Sequence, residues 1–273
     1  MNEVCVVGDP GDRYVVRARS GHGALAEFEA EAWCSAAARG VGLVTPRILF
    51  WGVEEGASYS VQEAVEGDSG ERHRDDDLWR FLGESARKIA SIDLRCAPEI
   101  LFSRFGRDLS AAWRSHLFYN LDQLTLADPL IVLGAYGADE LKVLRAMVSS
   151  ISRQSFDQGL LHGDLALRNV LLPTVGEPVL IDWGSARTGP VPSTDLINLL
   201  RNRDDQQNPT DVEIDAFASG FGSGPELIQG VRDLRVLHCL DVARWALDHA
   251  PERVEIAIAD IRNAVAQRST GTA

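Results

Sequence analysis

Three side chains in this sequence have types and spacing suited to chemistry: Asp164, Asn169 and Asp182. The first two share the run His162-Gly163-Asp164-Leu165-Ala166-Leu167-Arg168-Asn169, and the third sits in Leu180-Ile181-Asp182-Trp183-Gly184. A magnesium ion takes hard oxygen ligands, usually only one or two carboxylates, and completes its shell with phosphate oxygens and water. Asp182 and Asn169 offer a carboxylate and a neutral carbonyl of that kind. Asp164 is left to accept a hydrogen bond from an attacking hydroxyl and orient it. Phosphoryl transfer asks for little more, because positioning and charge neutralisation carry most of its catalysis. Taken singly, an aspartate near a turn is commonly a cap or a solvated loop residue. Both blocks in order, each framed by apolar runs, favour the site over that reading.

The framing runs must do the positioning. Leu160-Leu161, Val170-Leu172 and Val179-Ile181 are short apolar runs bounded by turn residues, the pattern of buried strands. Pro173, Gly176 and Pro178 separate the last two, so 170–181 is expected to form a small hairpin. That hairpin would bring the loop of Asp164 and Asn169 against the turn of Asp182.

The Asp-x4-Asn spacing is that of the protein-kinase catalytic loop, and Asp182-Trp183-Gly184 stands where those enzymes have Asp-Phe-Gly. The chain resembles more closely the aminoglycoside phosphotransferase and choline-kinase-like family, which writes His-Gly-Asp-x4-Asn and Ile-Asp-Trp as found at 162–169 and 181–183. The resemblance implies an α+β, two-lobed, protein-kinase-like fold. Residues 1–66 would be the small N-lobe, a β-sheet with one helix, and 67–273 the mostly helical C-lobe. It also implies ATP and Mg2+ as cofactors, with the metal on Asn169 and Asp182. It says little about the phosphate acceptor.

Composition bounds the partners. A net charge of −13 argues against nucleic acid, whose phosphates need basic patches. The same charge suits a cationic small molecule, although it also simply keeps a protein in solution. Cys5, Cys34, Cys96 and Cys239 are scattered, with no CxxC pair, so neither a zinc site nor a disulfide framework is indicated. The start, Met1-Asn2-Glu3-Val4-Cys5, lacks the form of a signal peptide, and no apolar run reaches ~18 residues. A cytoplasmic protein without a membrane span is expected.

Residues 3–7 and 14–19 alternate as strands around Gly8-Asp9-Pro10-Gly11-Asp12. The resemblance makes them the second and third strands of the N-lobe and sets Arg17 where kinases place the lysine that holds the α- and β-phosphates. A guanidinium keeps its charge and grips phosphate oxygens bidentately. Arg19, on the same face, is the reserve candidate. Residues 24–39 read as a helix with Glu27 and Glu31 one turn apart. By family resemblance Glu31, before Ala32-Trp33, pairs with Arg17 and aims it; Glu27 is the alternative. The two side chains should then lie within ~4 Å, facing a gap that contains Asp182. Strand 47–52 and strand 58–65 follow. The second resembles the strand joining the lobes, with the backbone of Gln62, Glu63, Ala64 and Val65 against the adenine.

Two family features depart here. The family covers the phosphates with a loop between its first two strands, but this chain begins inside that loop, so the first strand and most of the loop are expected to be missing. The Leu-His near the end of the next helix is replaced by Ala90-Ser91-Ile92.

Asp75-Asp76-Asp77 reads as the start of a helix running to about 94. Helices are expected over 108–124 and 137–155, with Trp113 and Met147 as core residues, and over 193–200, 210–221, 224–249 and 251–268, before a loose tail. Asp195 matches the family's aspartate that holds the catalytic loop by its N–H groups; a plain N-cap explains it equally. The acids Asp204, Asp205, Asp211, Glu213, Asp215, Asp241 and Asp248 suit amines, but most read as solvated faces. Trp245 is expected as a buried helix aromatic, with one wall of a cationic pocket as the alternative. His22, His73, His116, His238 and His249 have no ligand spacing. His162 is placed with the catalytic residues as the one that orders the loop by hydrogen bonds, not as a proton carrier.

These observations give an ATP- and magnesium-dependent phosphotransferase acting on a hydroxyl of a small molecule: aminoglycoside-like, amino-alcohol or sugar. The alternatives are a catalytically impaired kinase-like binding protein, prompted by the missing phosphate loop, and nucleotidyl transfer on the same fold.

Overall fold

The computed structural model describes residues 3–9, 12–21, 23–206, 209–224 and 226–270. The chain opens with β1 (Glu3–Asp9), β2 (Asp12–Ser20), α1 (Ala24–Gly40), β3 (Ile48–Glu54), β4 (Ala57–Glu63), β5 (Asp68–Ser69) and α2 (Asp76–Ala90). Helices α3 (Leu109–Gln123), α4 (Pro129–Val132) and α5 (Ala138–Ile151) follow. Next come β6 (Gln158–Leu161), β7 (Val170–Leu172), β8 (Val179–Leu180) and β9 (Arg187–Pro190). Helices α6 (Ser193–Gln206), α7 (Asp211–Phe221), α8 (Glu226–His249) and α9 (Val254–Thr270) complete the chain. Packing divides it into two compact units, Met1–Arg107 with Gln158–Gly224, and Asp108–Asp157 with Pro225–Ala273.

The first unit carries an antiparallel sheet in the order β1-β2-β4-β3. Its register sets Arg17 of β2 opposite Val4 of β1 and Ser60 of β4. Side chains alternate along a strand, so Arg17 and Arg19 share one face. Helix α1 crosses that face and buries Phe28, Ala30, Glu31, Cys34, Ser35 and Ala38. Helix α2 begins on an Asp75 cap whose carboxylate accepts the Leu78 N–H at 2.8 Å. It then turns an apolar stripe of Leu78, Leu82, Ala86 and Ile89 inward. Burying each Leu or Ile of that stripe contributes roughly 1.5–3 kcal/mol. It ends at Ala90, short of the expected 94, where the Ser91 hydroxyl turns back onto the Lys88 carbonyl.

The hairpin forms as β7 against β8, with Val170 opposite Leu180. Leu160-Leu161 is a strand too, but its partner is β9, which pairs Leu161 with Arg187. Arg187-Thr188-Gly189-Pro190 has no apolar residue and gave no strand signal; here the backbone ladder alone makes the strand. Just past β4, Asp68–Ser69 pairs with β7.

The second unit is helical. Its core gathers Leu117 and Leu124 near the end of α3, Leu130, Leu144, Met147, Val148 and Ile151, with Leu237, Leu240 and Ile261 from α8 and α9. A polar chain runs through it: Arg244 bonds Asn120 and Asp128, and the Tyr136 hydroxyl donates to Asp128 at 2.5 Å. Helix α9 continues through Arg268–Thr270, expected as loose tail, because no helix breaker precedes Gly271. No helix among the described residues is long and apolar enough to cross a membrane.

Candidate active site

The loop that carries Asp164 leaves β6 and is held by α6. The buried Asp195 carboxylate accepts the N–H of Gly163 at 2.8 Å and of His162 at 3.3 Å. Burial pushes its carboxyl up to about 6, against the lowering effect of the Gly163, His162 and Leu165 N–H groups. One turn along, Asn198 donates to the Gly163 carbonyl at 2.8 Å, so both backbone polar groups of one residue are gripped by a single helix. Gly163 has φ +82°, and a Cβ there would stand 1.9 Å from the Ser185 carbonyl. Only glycine lets this loop touch the backbone beyond Asp182.

His162 is fully buried. Its Nε2 lies 3.1 Å from the Ile181 carbonyl and its ring leans on Trp183 at 4.8 Å. Its Nδ1 has no partner among the described residues. Burial lowers its pKa to about 4, so at neutral pH the ring is uncharged and Nε2 donates. It fastens one loop to the next.

Asp164 is held at both oxygens. Asn169 Nδ2 donates to its Oδ2 at 3.0 Å and to its backbone carbonyl at 2.7 Å. Arg168 pairs with its Oδ1. Asn169 is 6% exposed, and with its amide nitrogen committed to Asp164 its carbonyl oxygen is the atom left to ligate. The Ile181 N–H bonds the Asn169 carbonyl of the main chain at 2.9 Å, tying the turn of Asp182 to this loop. Asp182 itself has φ 63° and ψ 68°, left-handed for a residue with a Cβ. Such backbone costs on the order of 1–3 kcal/mol and persists where the surroundings over-determine it. Among the described residues no three His, Cys, Asp or Glu side chains gather into a metal cage. One carboxylate and one carbonyl suit magnesium that draws the rest of its shell from phosphate and water.

Arg17 and Glu31 are in direct contact, with side chains 15% and 6% exposed. Both line a cavity of about 360 Å3 together with Val15, Ile48, Gln62 and Asp182. The guanidinium also lies over the Phe28 ring at 5.6 Å. Burial raises the Glu31 carboxyl, Arg17 opposes it, and Asp182 adds to the rise. Arg19 and Glu27 form a second contact, with side chains 40% and 39% exposed, as the outer rung of the same strand-to-helix ladder.

At the end of β4 the placement is mixed. Gln62 lines the cavity. The Glu63 and Ala64 N–H groups bond the Arg47 and Arg13 carbonyls at 2.9 and 3.0 Å, and the Glu63 carboxylate accepts the Arg47 N–H at 3.2 Å. Those two N–H groups are therefore spent inside the structure. Strand β4 ends at Glu63, with Ala64 and Val65 beyond it.

The remaining expectations divide. Met147 is core. Trp113 is half-buried, with its ring against His116 and Phe156. Trp245, expected buried, is 49% exposed and stacks on His249 at 5.6 Å, because its turn of α8 faces outward. Glu213 closes a capping box with Thr210 and pairs with Arg74 at 2.8 Å, a structural duty. Asp241 receives His116 Nε2 at 2.9 Å and Asn120 at 3.0 Å. Asp211, Asp215 and Asp248 are exposed. His73 faces Asp68 at 3.6 Å. His22 and the side chains of Asp204 and Asp205 lie outside the described residues. Sequence reasoning missed Arg168 and Asn198, though each stood at i+4 or i+3 from a residue it had chosen.

A profile of the phosphotransferase enzyme family matches residues 2–236. No curated protein sequence matches the chain. Among solved structures, a thermostable mutant of aminoglycoside phosphotransferase APH(4)-Ia aligns with TM-score 0.65 at 17% identity, covering 100% of this chain and 92% of that one. Macrolide 2'-phosphotransferase MphH from Brachybacterium faecium aligns at TM-score 0.65 and 18% identity, covering 94% and 87%. Spectinomycin phosphotransferase APH(9)-Ia, in complex with ADP and spectinomycin, aligns at 0.57 and 14%, covering 96% and 88%. At these identities the likeness shows the fold, that of protein-kinase-like phosphotransferases.

Proposed function

Because the chain belongs to the phosphotransferase enzyme family, we propose that it transfers the γ-phosphoryl group of ATP to a hydroxyl of a small molecule. The observation that carries this reading is the grip on Asp164: Asn169 fixes one carboxylate oxygen, and the same loop is bonded to the turn of Asp182. A hydroxyl-orienting carboxylate thus stands on one scaffold with a ligand pair fit for magnesium. When bound, the metal neutralises phosphate charge and holds the phosphates to the protein.

The residues divide the work. Asn169 and Asp182 would hold the metal. Asp164 accepts the acceptor's hydroxyl proton as the new O–P bond forms. Arg17, aimed by Glu31, grips the α- and β-phosphates in the cavity that also holds Gln62. Asp195, Asn198 and His162 keep the loop rigid, which matters because a 1 Å misplacement can cost about 10² in rate. A net charge of −13 favours a cationic acceptor.

The test is a screen of aminoglycosides, amino-alcohols and sugars for acceptor-dependent ADP release with Mg·ATP. Product mass then decides the chemistry: a gain of one phosphoryl group supports the proposal. A gain of a nucleotidyl group, or no product alongside tight acceptor binding, overturns it.

A further inference from the structure

Each oxygen of Asp164 already accepts from one neighbour, Oδ1 from Arg168 and Oδ2 from Asn169, so an incoming hydroxyl must share an oxygen or displace a partner. The two partners are not equal. Asn169 is buried and donates to both the side chain and the main chain of Asp164, so that contact is fixed. Arg168 is 44% exposed along its side chain and holds Oδ1 through an ion pair of a single turn. It is the partner that can leave. A guanidinium displaced from a carboxylate seeks another anion within the reach of its tether, and planar oxyanions are what it binds best.

From this geometry we infer that Arg168 moves from Asp164 onto the transferring phosphoryl group when a nucleotide carrying its γ-phosphate is bound, which frees Oδ1 for the acceptor's hydroxyl. A hydroxyl bonded to Asp164 lies about 2.6–3.2 Å from it. The phosphorus it attacks lies a further ~3–3.5 Å on. The phosphoryl oxygens therefore come within a few side-chain rotations of a guanidinium already touching Asp164. Arg168 then does two things in sequence. At rest it occupies the nucleophile's seat; when loaded it vacates that seat and neutralises charge on the group in flight, as an arginine supplied in cis does elsewhere. The acceptor O–P bond forms, the P–O bond to ADP breaks, and the hydroxyl proton goes to Asp164; Arg168 neither gains nor loses a proton. This inference rests on the phosphotransfer reading.

Binding separates the two. The full-length protein and its Arg168→Gln and Arg168→Lys variants are titrated calorimetrically with Mg·ADP and with a non-hydrolysable imido analogue of Mg·ATP. Arg168→Gln should weaken the analogue by about tenfold while ADP changes by less than ~2-fold, because only the γ-phosphate is in reach. Arg168→Lys, a point charge without the fork, should restore part of that loss. With an acceptor in hand, kcat of Arg168→Gln should fall by ~10²–10³, beyond the loss of ATP affinity that the analogue reads. Equal weakening of both nucleotides would mark a merely structural residue and overturn the inference, as would no weakening of either. A wild-type protein that binds neither nucleotide overturns the phosphotransfer reading and this inference together.

Discussion

Glu31 touches Arg17 with one carboxylate oxygen, while the other lies against Gly184, where a Cβ would stand only 2.7 Å away. One side chain thus couples the β2 arginine to the backbone two residues past Asp182. Burial raises the Glu31 carboxyl, and Arg17 works against that rise. The contact with Arg17 is what offsets the cost of a buried charge at this position.

Glu31→Gln keeps the shape and removes the charge that aims Arg17. A charge-assisted hydrogen bond is worth about 1.5–3 kcal/mol, so the nucleotide KM should rise roughly tenfold or more while kcat moves far less. Steady-state ADP release over a range of Mg·ATP reads both constants. A collapse of kcat at constant KM would place Glu31 in the chemical step instead.

Asp164→Ala should leave nucleotide binding in place and lower turnover by ~10²–10⁴, the usual weight of a positioned acid or base. The measurement is kcat beside a calorimetric Kd for Mg·ADP. Turnover that survives the change would remove Asp164 from the mechanism.

Asp182→Ala should behave in the opposite sense. It should abolish the magnesium dependence of nucleotide binding, because the metal bridges protein and phosphates. Titrating ADP with and without Mg2+ gives the answer. A variant with the wild-type difference between the two titrations would contradict the role given to Asp182.

The site was legible in the sequence where chemistry is written in short runs. His162-Gly163-Asp164, Asn169 and Ile181-Asp182-Trp183 stood out because apolar runs framed them, whereas periodicity left Arg17 level with Arg19 and Glu31 with Glu27, and the family resemblance chose between them. The illegible parts share a physical cause. Strand β9 is held by backbone bonds to β6 and has no side-chain pattern to betray it. The Glu63 and Ala64 N–H groups are spent on neighbouring strands, which no reading of side chains can see. Trp245 was misjudged because an aromatic on a helix has two faces to choose from, and the tertiary context chose the outer one.

The titrations of His162 and Asp195 oppose one another. His162 has a pKa of about 4 in the fold against 6.5 for the free side chain. Between pH 6.5 and 4 the unfolded chain takes up the proton first, so this histidine stabilises fully above pH 6.5 and the contribution is lost on acidification. Asp195 stands at about 6 in the fold against 3.8. From pH 6 down to 3.8 the folded protein takes up the proton first, so acidification through this window favours the fold. Each runs to roughly 2–3 kcal/mol by linkage at pH 4.5, and the two largely cancel. Asp195→Asn removes the second term and leaves the first exposed. Urea unfolding at pH 7 and pH 4.5 should therefore show the variant losing about 2 kcal/mol more than the wild type between the two pH values. Every other carboxylate titrates alike in both proteins and drops out of the difference. Equal losses would mean that Asp195 keeps its charge in the fold down to pH 4.5, with the Gly163 N–H, the Arg187 charge and the His162 and Leu165 N–H groups outweighing its burial.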